Sequence, residues 1–271
     1  GDNVTDCYLD EGIYYPGGNA VNVAVDCKRD GAEKVNYIGV FGNDDRADYI
    51  RACMEEEGVT CERSRKVFAP TCQPGVKINE EGDRIFVGGI RDTCQHLFSI
   101  RLQREDLEVI KEYDICHTSC YSNLEYELET LSRVCKVSFD FSDEHDDDYM
   151  KRVCPFVTYA FFSGSDMSEE EIRDVVSHMR ECGIPCDAIH LDIDYMDHYK
   201  VFTWTPDKER YPDPEKMISD LAKDGIKIIT IIDPGVKLEE GYSVYDKGVE
   251  NGYFATTPEG EIYVNAVWPG D

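Results

Sequence analysis

The feature that most constrains this chain is an alternation of short apolar runs with capped amphipathic segments. "KVNYIGVFG", "YDICHTSCYS", "KVSFDFSD" and "VTYAFFSGSD" have strand character, and each ends in small or polar residues. Between and around them lie helical patterns. "PGGNAVNVAVDCKRDG" has a Gly-Gly turn and an apolar stripe, "NDDRADYIRACMEEEGV" has Asp44 or Asp45 as cap and Gly58 as stop, and "SEEEIRDVVSHMREC" has Ser168 and Glu171 in capping-box spacing. The rhythm continues with "DAIHLDID", the helix "DPEKMISDLAKDG" closed by Gly225, and "IKIITIID". "PGVKINEEGDRIFVGG" reads as a hairpin, and the Gly-, Pro- and Tyr-rich tail as loops with a short helix and hairpin. Strands separated by helices predict an α/β fold with a mostly parallel, doubly wound sheet. In such sheets ligands bind beyond the carboxyl ends of the strands.

A second feature divides the chain. All 12 cysteines fall at or before Cys186, whereas both tryptophans, Trp204 and Trp268, come after it. Two regions are expected, residues 1–182 and 183–271. The cysteines have irregular spacing and no CxxC pair; Cys116/Cys120 and Cys182/Cys186 are four apart. They read as buried core thiols rather than a zinc site or a disulfide framework, which suits a cytoplasm. The chain opens at Gly1 rather than at a methionine, so loss of upstream residues is expected, a targeting signal being one candidate.

With 41% hydrophobic and 31% charged residues the composition is that of a globular protein. The net charge of −28, from 56 acidic and 28 basic residues, repels phosphate backbones and anionic lipid. Neither nucleic acid nor membrane is therefore expected as a partner. No apolar run approaches the ~18 residues of a membrane span.

Candidate ligand residues are few. Asp6, with Gly17, Gly18 and Asn22 of "PGGNAVN", combines carboxylate and amide groups suited to vicinal hydroxyls with a turn that lets a ligand approach the backbone. Taken singly, such a turn usually only connects elements. "DFSDEHDDDY", with His145, sets a divalent-ion site against a solvated acidic loop, and the loop is favoured; no metal site is expected. "LDIDYMD" places Asp192 and Asp194 two apart on a strand and hence on one face, near its carboxyl end. One solvated or capping carboxylate beside a structural one is favoured over a glycosidase pair.

"GGNAVNVAVDCKRDGAEKVNYIGVFGND", "QPGVKINEEGDRIF", "SFDFSD" and "AFFSGSDMSEEEI" together resemble the ribokinase-like (PfkB) sugar kinases, fructoselysine 6-kinases most of all. The resemblance covers residues 1–182. It implies a ribokinase-like sheet with a small β lid (strands about 8–16 and 72–90), and sugar contacts from Asp6, Gly17, Gly18 and Asn22, with Asp2 and Arg91 as further candidates. It also implies ATP with Mg and a homodimer formed through the lid strands. Kinases of this family carry a Gly-Ala-Gly-Asp type motif in their C-terminal part, which supplies catalytic base and anion cradle. No such motif and no GxxxxGK[ST] run occurs here, so no catalytic residue is assigned.

"IPCDAIHLDIDYMDHYKVFTW", "YPDPEKMISDLAKDGIKIITIIDPGVK" and "NAVWPG" resemble glycoside hydrolase family 31, the α-glucosidases built on a (β/α)8 barrel. Here the resemblance implies that Asp192, Ile193, Ile232 and Trp268 line a pocket for a terminal sugar. That family's nucleophile and acid/base lie further along than Asp271. A βαβ fragment of the barrel is thus expected after the kinase-like region, and it is expected to extend the same sheet in place of the missing kinase strands. The resulting expectation is a carbohydrate kinase-like protein acting on a fructosamine such as fructoselysine, inactive as written for want of its catalytic motif. An α-glucosidase fragment and a non-catalytic sugar-binding fusion are the alternatives.

Overall fold

A computed structural model describes residues 1–78, 84–142, 144, 146–163, 168–181, 188–205, 211–232 and 235–264. The chain divides into two compact units, Gly1–Asn79 with Arg84–Ser163, and Glu80–Asp83 with Gly164–Asp271.

In the first unit the chain enters as β1 (Val4–Tyr8), returns as β2 (Ile13–Gly17) and runs into α1 (Asn19–Arg29). β3 (Val40–Phe41), α2 (Asp45–Glu56), β4 (Arg65–Lys66), β5 (Pro74–Ile78) and β6 (Arg84–Gly89) follow. One four-stranded sheet has the order β2-β1-β5-β6, with β1 antiparallel to β2 and parallel to β5, and β5 antiparallel to β6. This is the expected small lid; its turn at residues 79–83 lies outside the described residues. Next come the short α3 (Cys94–Leu97), α4 (Arg104–Ile110), β7 (Ile115–Ser119), α5 (Leu128–Ser132), β8 (Lys136–Asp140), α6 (Asp147–Val153) and β9 (Tyr159–Phe161). β7, β8 and β9 form a parallel sheet in that order, and β3 pairs with β4 in parallel.

Local chemistry explains the helix ends. The Asp44 carboxylate accepts from the Ala47 amide at 3.0 Å, which settles the choice of cap for α2. Gly58, at φ +81°, closes the same helix with an amide bond to the Glu55 carbonyl. The apolar stripes of α1 and α2 bury Val21, Ile50 and Met54 against Phe41 and Val59. Each such side chain contributes roughly 1.5–3 kcal/mol on burial. Around β8, Phe141 stacks on Phe162 at 4.4 Å and tilts against Phe139 at 4.7 Å.

The second unit contains α7 (Glu169–Glu181), β10 (Ala188–Leu191), α8 (Pro214–Lys223), β11 (Lys227–Thr230) and α9 (Ser243–Asn251). Ser168 and Glu171 form the expected capping box, with the Ser168 amide donating to Glu171 at 2.7 Å. Asp213 caps α8 through the Lys216 amide at 2.9 Å, Pro214 begins it, and Gly225 follows at φ +80°. Ile172 and Val176 of α7 pack with Leu191, Met217, Leu221 and Ile226. This packing sets the compact division near residue 164, ahead of the composition break near 183.

Two expectations need correction. Among the described residues β10 ladders with β11 in a two-stranded parallel sheet and β9 is an edge strand of the three-stranded sheet, so the expected extension of the N-terminal sheet by the βαβ segment is not found among them. Its strands match one another in four-residue register, which satisfies them without a graft. Asp192 and Asp194 also do not share a strand face. β10 ends at Leu191, and Asp192 caps a 3-10 turn over Ile193–Tyr195 by accepting from the Ile193 amide at 2.8 Å. The carboxylate takes the backbone out of the strand, in keeping with a capping role for Asp192.

Candidate functional site

The site begins where β1, β2 and α1 converge. Asp6 lies on β1 opposite Tyr15, two positions from the pair Val4 and Gly17. Its carboxylate rests on Gly17: a β-carbon added there would meet Asp6 Oδ2 at 2.6 Å and Cγ at 2.8 Å. Any side chain at 17 therefore displaces the Asp6 carboxylate. Gly18 has φ 105° and ψ 134°, a conformation open to glycine and strained for other residues. Its α-carbon also faces backbone, since an added β-carbon would lie 2.9 Å from the Asp2 carbonyl and 3.0 Å from Asn3 Cα. The two glycines thus do different things, one seating Asp6 and the other bringing the start of α1 against residues 2 and 3.

Asn22 is exposed one turn into α1, with its amide bonded to the Gly18 carbonyl at 3.0 Å. Arg91 is exposed just after β6. Asp2 is buried, and its Oδ1 accepts from the hydroxyls of Ser119 (3.1 Å) and Ser122 (2.9 Å) and from the Ala20 amide at 3.4 Å. It ties the beginning of α1 to the carboxyl end of β7.

Sequence reading missed a polar chain beside this point. Asn19, the first residue of α1, donates from Nδ2 to Asp140 Oδ2 at 2.6 Å and accepts at Oδ1 from His117 Nε2 at 2.8 Å. A carboxylate only accepts, so the Asn19 amide orientation is fixed, and with it the Nε2–H tautomer of His117. His117 Nδ1 then accepts from the Ser138 hydroxyl at 2.8 Å. Burial pushes the imidazole below its ordinary pKa, against the raising effect of the Asp140 and Asp2 carboxylates. Asp140 Oδ1 accepts from the Ser142 amide at 2.8 Å, and the Tyr121 hydroxyl donates to Ser142 Oγ at 2.8 Å. Asp140 and Ser142 stand at and just past the carboxyl end of β8, where an α/β sheet presents its ligand groups. The available signal was the polar endings of "ICHTS" and "SFDFSD"; their convergence on Asn19 has no local pattern.

In the second unit, Asp192 and Ile232 are exposed just past the carboxyl ends of β10 and β11, and the ladder continues between them as the Ile231 amide donates to the Leu191 carbonyl at 2.9 Å. Ile193 is 5% exposed and packs in the core beside Leu191 and Tyr195. Trp268, and the side chain of Asp194, lie outside the described residues, as do Asp143 and His145 of the acidic loop. Among the described residues no group of three or more His, Cys, Asp or Glu side chains is arranged to hold a metal ion. Cys61 and Cys116 are pushed up to about 11 by burial, which makes them inert thiols at neutral pH. No described helix is long and apolar enough to cross a membrane.

Comparison with known proteins gives two separate matches along the chain. Residues 4–138 match the pfkB family carbohydrate kinases, and residues 152–271 match the glycosyl hydrolases family 31 TIM-barrel domain. Over 175 residues the chain is 46% identical to Fructosamine kinase FrlD of Bacillus subtilis (strain 168), covering 65% of this chain and 61% of that protein. Over 103 residues it is 42% identical to Alpha-glucosidase 2 of Bacillus thermoamyloliquefaciens, covering 38% of this chain and 13% of that protein. A ribokinase structure from Giardia lamblia shares the fold, with TM-score 0.54 at 17% identity over 67% of this chain and 65% of that one. The chain thus joins an N-terminal region similar to the pfkB carbohydrate kinases to a C-terminal fragment similar to the family 31 glycoside hydrolase barrel.

Proposed function

We propose that the N-terminal region binds a fructosamine such as fructoselysine through Asp6, Gly17, Gly18 and Asn22, with Arg91 as a further contact, and that the chain as written transfers no phosphoryl group. The observation that carries the binding reading is the Asp6 carboxylate seated on Gly17 beside the glycine turn that opens α1. A carboxylate there accepts from two sugar hydroxyls, and the Asn22 amide offers donor and acceptor together. Similarity over 175 residues to a fructosamine kinase favours this substrate class over other sugars.

ATP and magnesium are implied by the kinase family. The residues present do not fit a nucleotide site: the Gly-Ala-Gly-Asp type motif and the GxxxxGK[ST] run are both absent from the sequence. No step is therefore assigned through nucleotide or metal. Phosphoryl transfer depends on positioned donors and charge stabilisation, and without them binding proceeds without turnover. The second unit is read as a glycosidase-derived fragment, with Asp192, Ile193, Ile232 and Trp268 as its sugar-pocket remnant. The buried position of Ile193 argues for a shape-defining rather than a contacting part there. The two lineages are taken to meet near residue 183, where the cysteine-rich composition stops.

Exposed Ile13, Tyr14 and Tyr15 on β2 and Phe86 and Val87 on β6 support a homodimer through the lid. A cytoplasmic setting suits Cys7, Cys27, Cys53, Cys61 and Cys72, all thiols. Calorimetric titration with fructoselysine tests the reading. The expected result is one site per chain, weakened at least about tenfold by Asp6→Ala, which corresponds to 1.4 kcal/mol. Equal affinity in Asp6→Ala, or no binding, removes the proposed site.

A further inference from the structure

Asp140 is a half-buried carboxylate at the carboxyl end of β8, where a parallel sheet presents its ligand groups. Its Oδ2 accepts from Asn19 Nδ2 at 2.6 Å and its Oδ1 from the Ser142 amide at 2.8 Å. Both donors are neutral. Asp106, the fully buried carboxylate of the same unit, is answered by Arg63 and Arg65. No lysine or arginine pairs with Asp140 among the described residues. The neighbouring imidazole does not supply the charge: His117 donates from Nε2 to Asn19, accepts at Nδ1 from Ser138, and is held neutral by burial. Taking a carboxylate out of water without a cationic partner costs free energy, so an uncompensated charge at a ligand-presenting edge points to a cation from outside.

The carboxylate has acceptor positions left for that partner. A carboxylate accepts at about four positions, and two of those of Asp140 are filled. Asn19 and Asn22 stand three apart on α1 and share one face of the helix, with Asn19 reaching Asp140 and Asn22 exposed. Asp140 therefore lies one side chain away from the glycine turn and the asparagine assigned to the sugar. Ser142 holds φ +54°, an uncommon conformation for serine, and this turn aims its amide at the carboxylate. With each oxygen held by a neutral donor, the charge is fixed in place before any ligand arrives.

A fructosamine differs from a simple ketose by a secondary amine on the carbon beside the anomeric centre, and that amine is protonated at neutral pH. We propose that Asp140 receives this ammonium, so that the subsite selects amine-bearing ketoses over ketoses with a hydroxyl there. The proposal rests on the sugar-binding reading of Asp6 and Asn22. An ammonium donates charge-assisted hydrogen bonds to the open positions of the carboxylate, roughly twice as strong as those of a hydroxyl. A hydroxyl in its place covers the carboxylate and leaves the charge unpaired, a penalty that discriminates by itself.

Calorimetric titration with fructoselysine, fructosyl-methylamine and fructose tests the subsite. The chain as it stands is expected to bind both amines at least about tenfold more tightly than fructose. Asp140→Asn is expected to abolish that preference and to change fructose affinity by less than about twofold. The substitution keeps the polar chain in reverse: the new amide donates to Asn19, Asn19 to His117 Nε2, and His117 Nδ1–H to Ser138. Amide exchange of α1 and β8 is therefore expected to stay unchanged. Asp140→Glu, which keeps the charge, is expected to recover part of the preference. Rising pH is expected to weaken amine binding as the ligand's ammonium deprotonates, in the original chain and not in Asp140→Asn. Equal weakening of all three ligands by Asp140→Asn marks a structural role and overturns the proposal, as does an unchanged preference. Asp6-dependent binding with no preference for amines overturns the subsite alone; no binding of any of the three removes the Asp6 reading together with it.

Discussion

Replacing the two adjacent glycines separately tests how the site is built. At Gly18 an alanine meets backbone, the Asp2 carbonyl at 2.9 Å and Asn3 Cα at 3.0 Å, and neither has a rotamer through which to yield. Its φ of 105° adds backbone strain of about 1–3 kcal/mol. Overpacking adds a similar ~1–3 kcal/mol, so Gly18→Ala is expected to cost roughly 2–6 kcal/mol. At Gly17 the obstacle is the Asp6 carboxylate at 2.6 Å, the end of a side chain that swings aside, and φ is not in the left-handed region. Gly17→Ala is therefore expected to cost no more than about 1 kcal/mol of fold stability, the low end of overpacking. Its effect falls instead on ligand binding, because Asp6 loses its seat. Tryptophan fluorescence reports only the second unit, where Trp204 and Trp268 lie, so stability is read from native-state amide exchange in β1 and α1. Fructoselysine affinity is read in parallel by calorimetry. Equal stability losses in the two variants, or a Gly17→Ala protein with unchanged affinity, refute the division of labour.

Asp106 is fully buried and holds Arg63 at 2.9 Å, Arg65, and the Gln103 amide at 2.8 Å. Burial raises its pKa, but these hydrogen bonds outweigh burial and the carboxyl ends below its ordinary value. Its contribution is thus present above about pH 4 and lost as pH falls further. Asp106→Asn is expected to cost about 3 kcal/mol and to flatten that acid limb in pH-dependent urea melts. Asp44→Ala removes the α2 cap and the bonds to the Thr71 amide (2.8 Å) and hydroxyl (2.5 Å). A loss of about 2 kcal/mol is expected, with Asp44→Ser recovering part of it. His117 is held neutral, so the unfolded chain binds its proton first and stability falls as pH drops below the unfolded value of about 6.5. NMR titration is expected to place the imidazole below that value, and Asn19→Ala to raise it by exposing the ring.

What was legible in the sequence was local. Asp44 and Ser168 announced their helices because a cap is a contact three residues long, and the hairpin of β5 and β6 was visible for the same reason. The Gly17–Gly18 turn and Asp6 were legible as a motif, but their unlike roles were not, since those depend on what each α-carbon faces. Asn19, His117 and Asp140 are separated by 98 and 121 residues from Asn19, and only the crossing of α1 over the β7 and β8 ends brings them together. The sheet extension across residue 183 failed on pairing: helix-then-strand order does not say which edge the strand chooses, and β10 chose β11.

The central claim is that a sugar-binding, kinase-like region lacks the groups for phosphoryl transfer. Incubation of the intact chain with ATP, magnesium and fructoselysine, with ADP release followed beside calorimetric binding of the sugar, tests it most directly. The account expects saturable, Asp6-dependent binding and ADP release no faster than without sugar. Sugar-dependent ADP release that disappears in Asp6→Ala contradicts it.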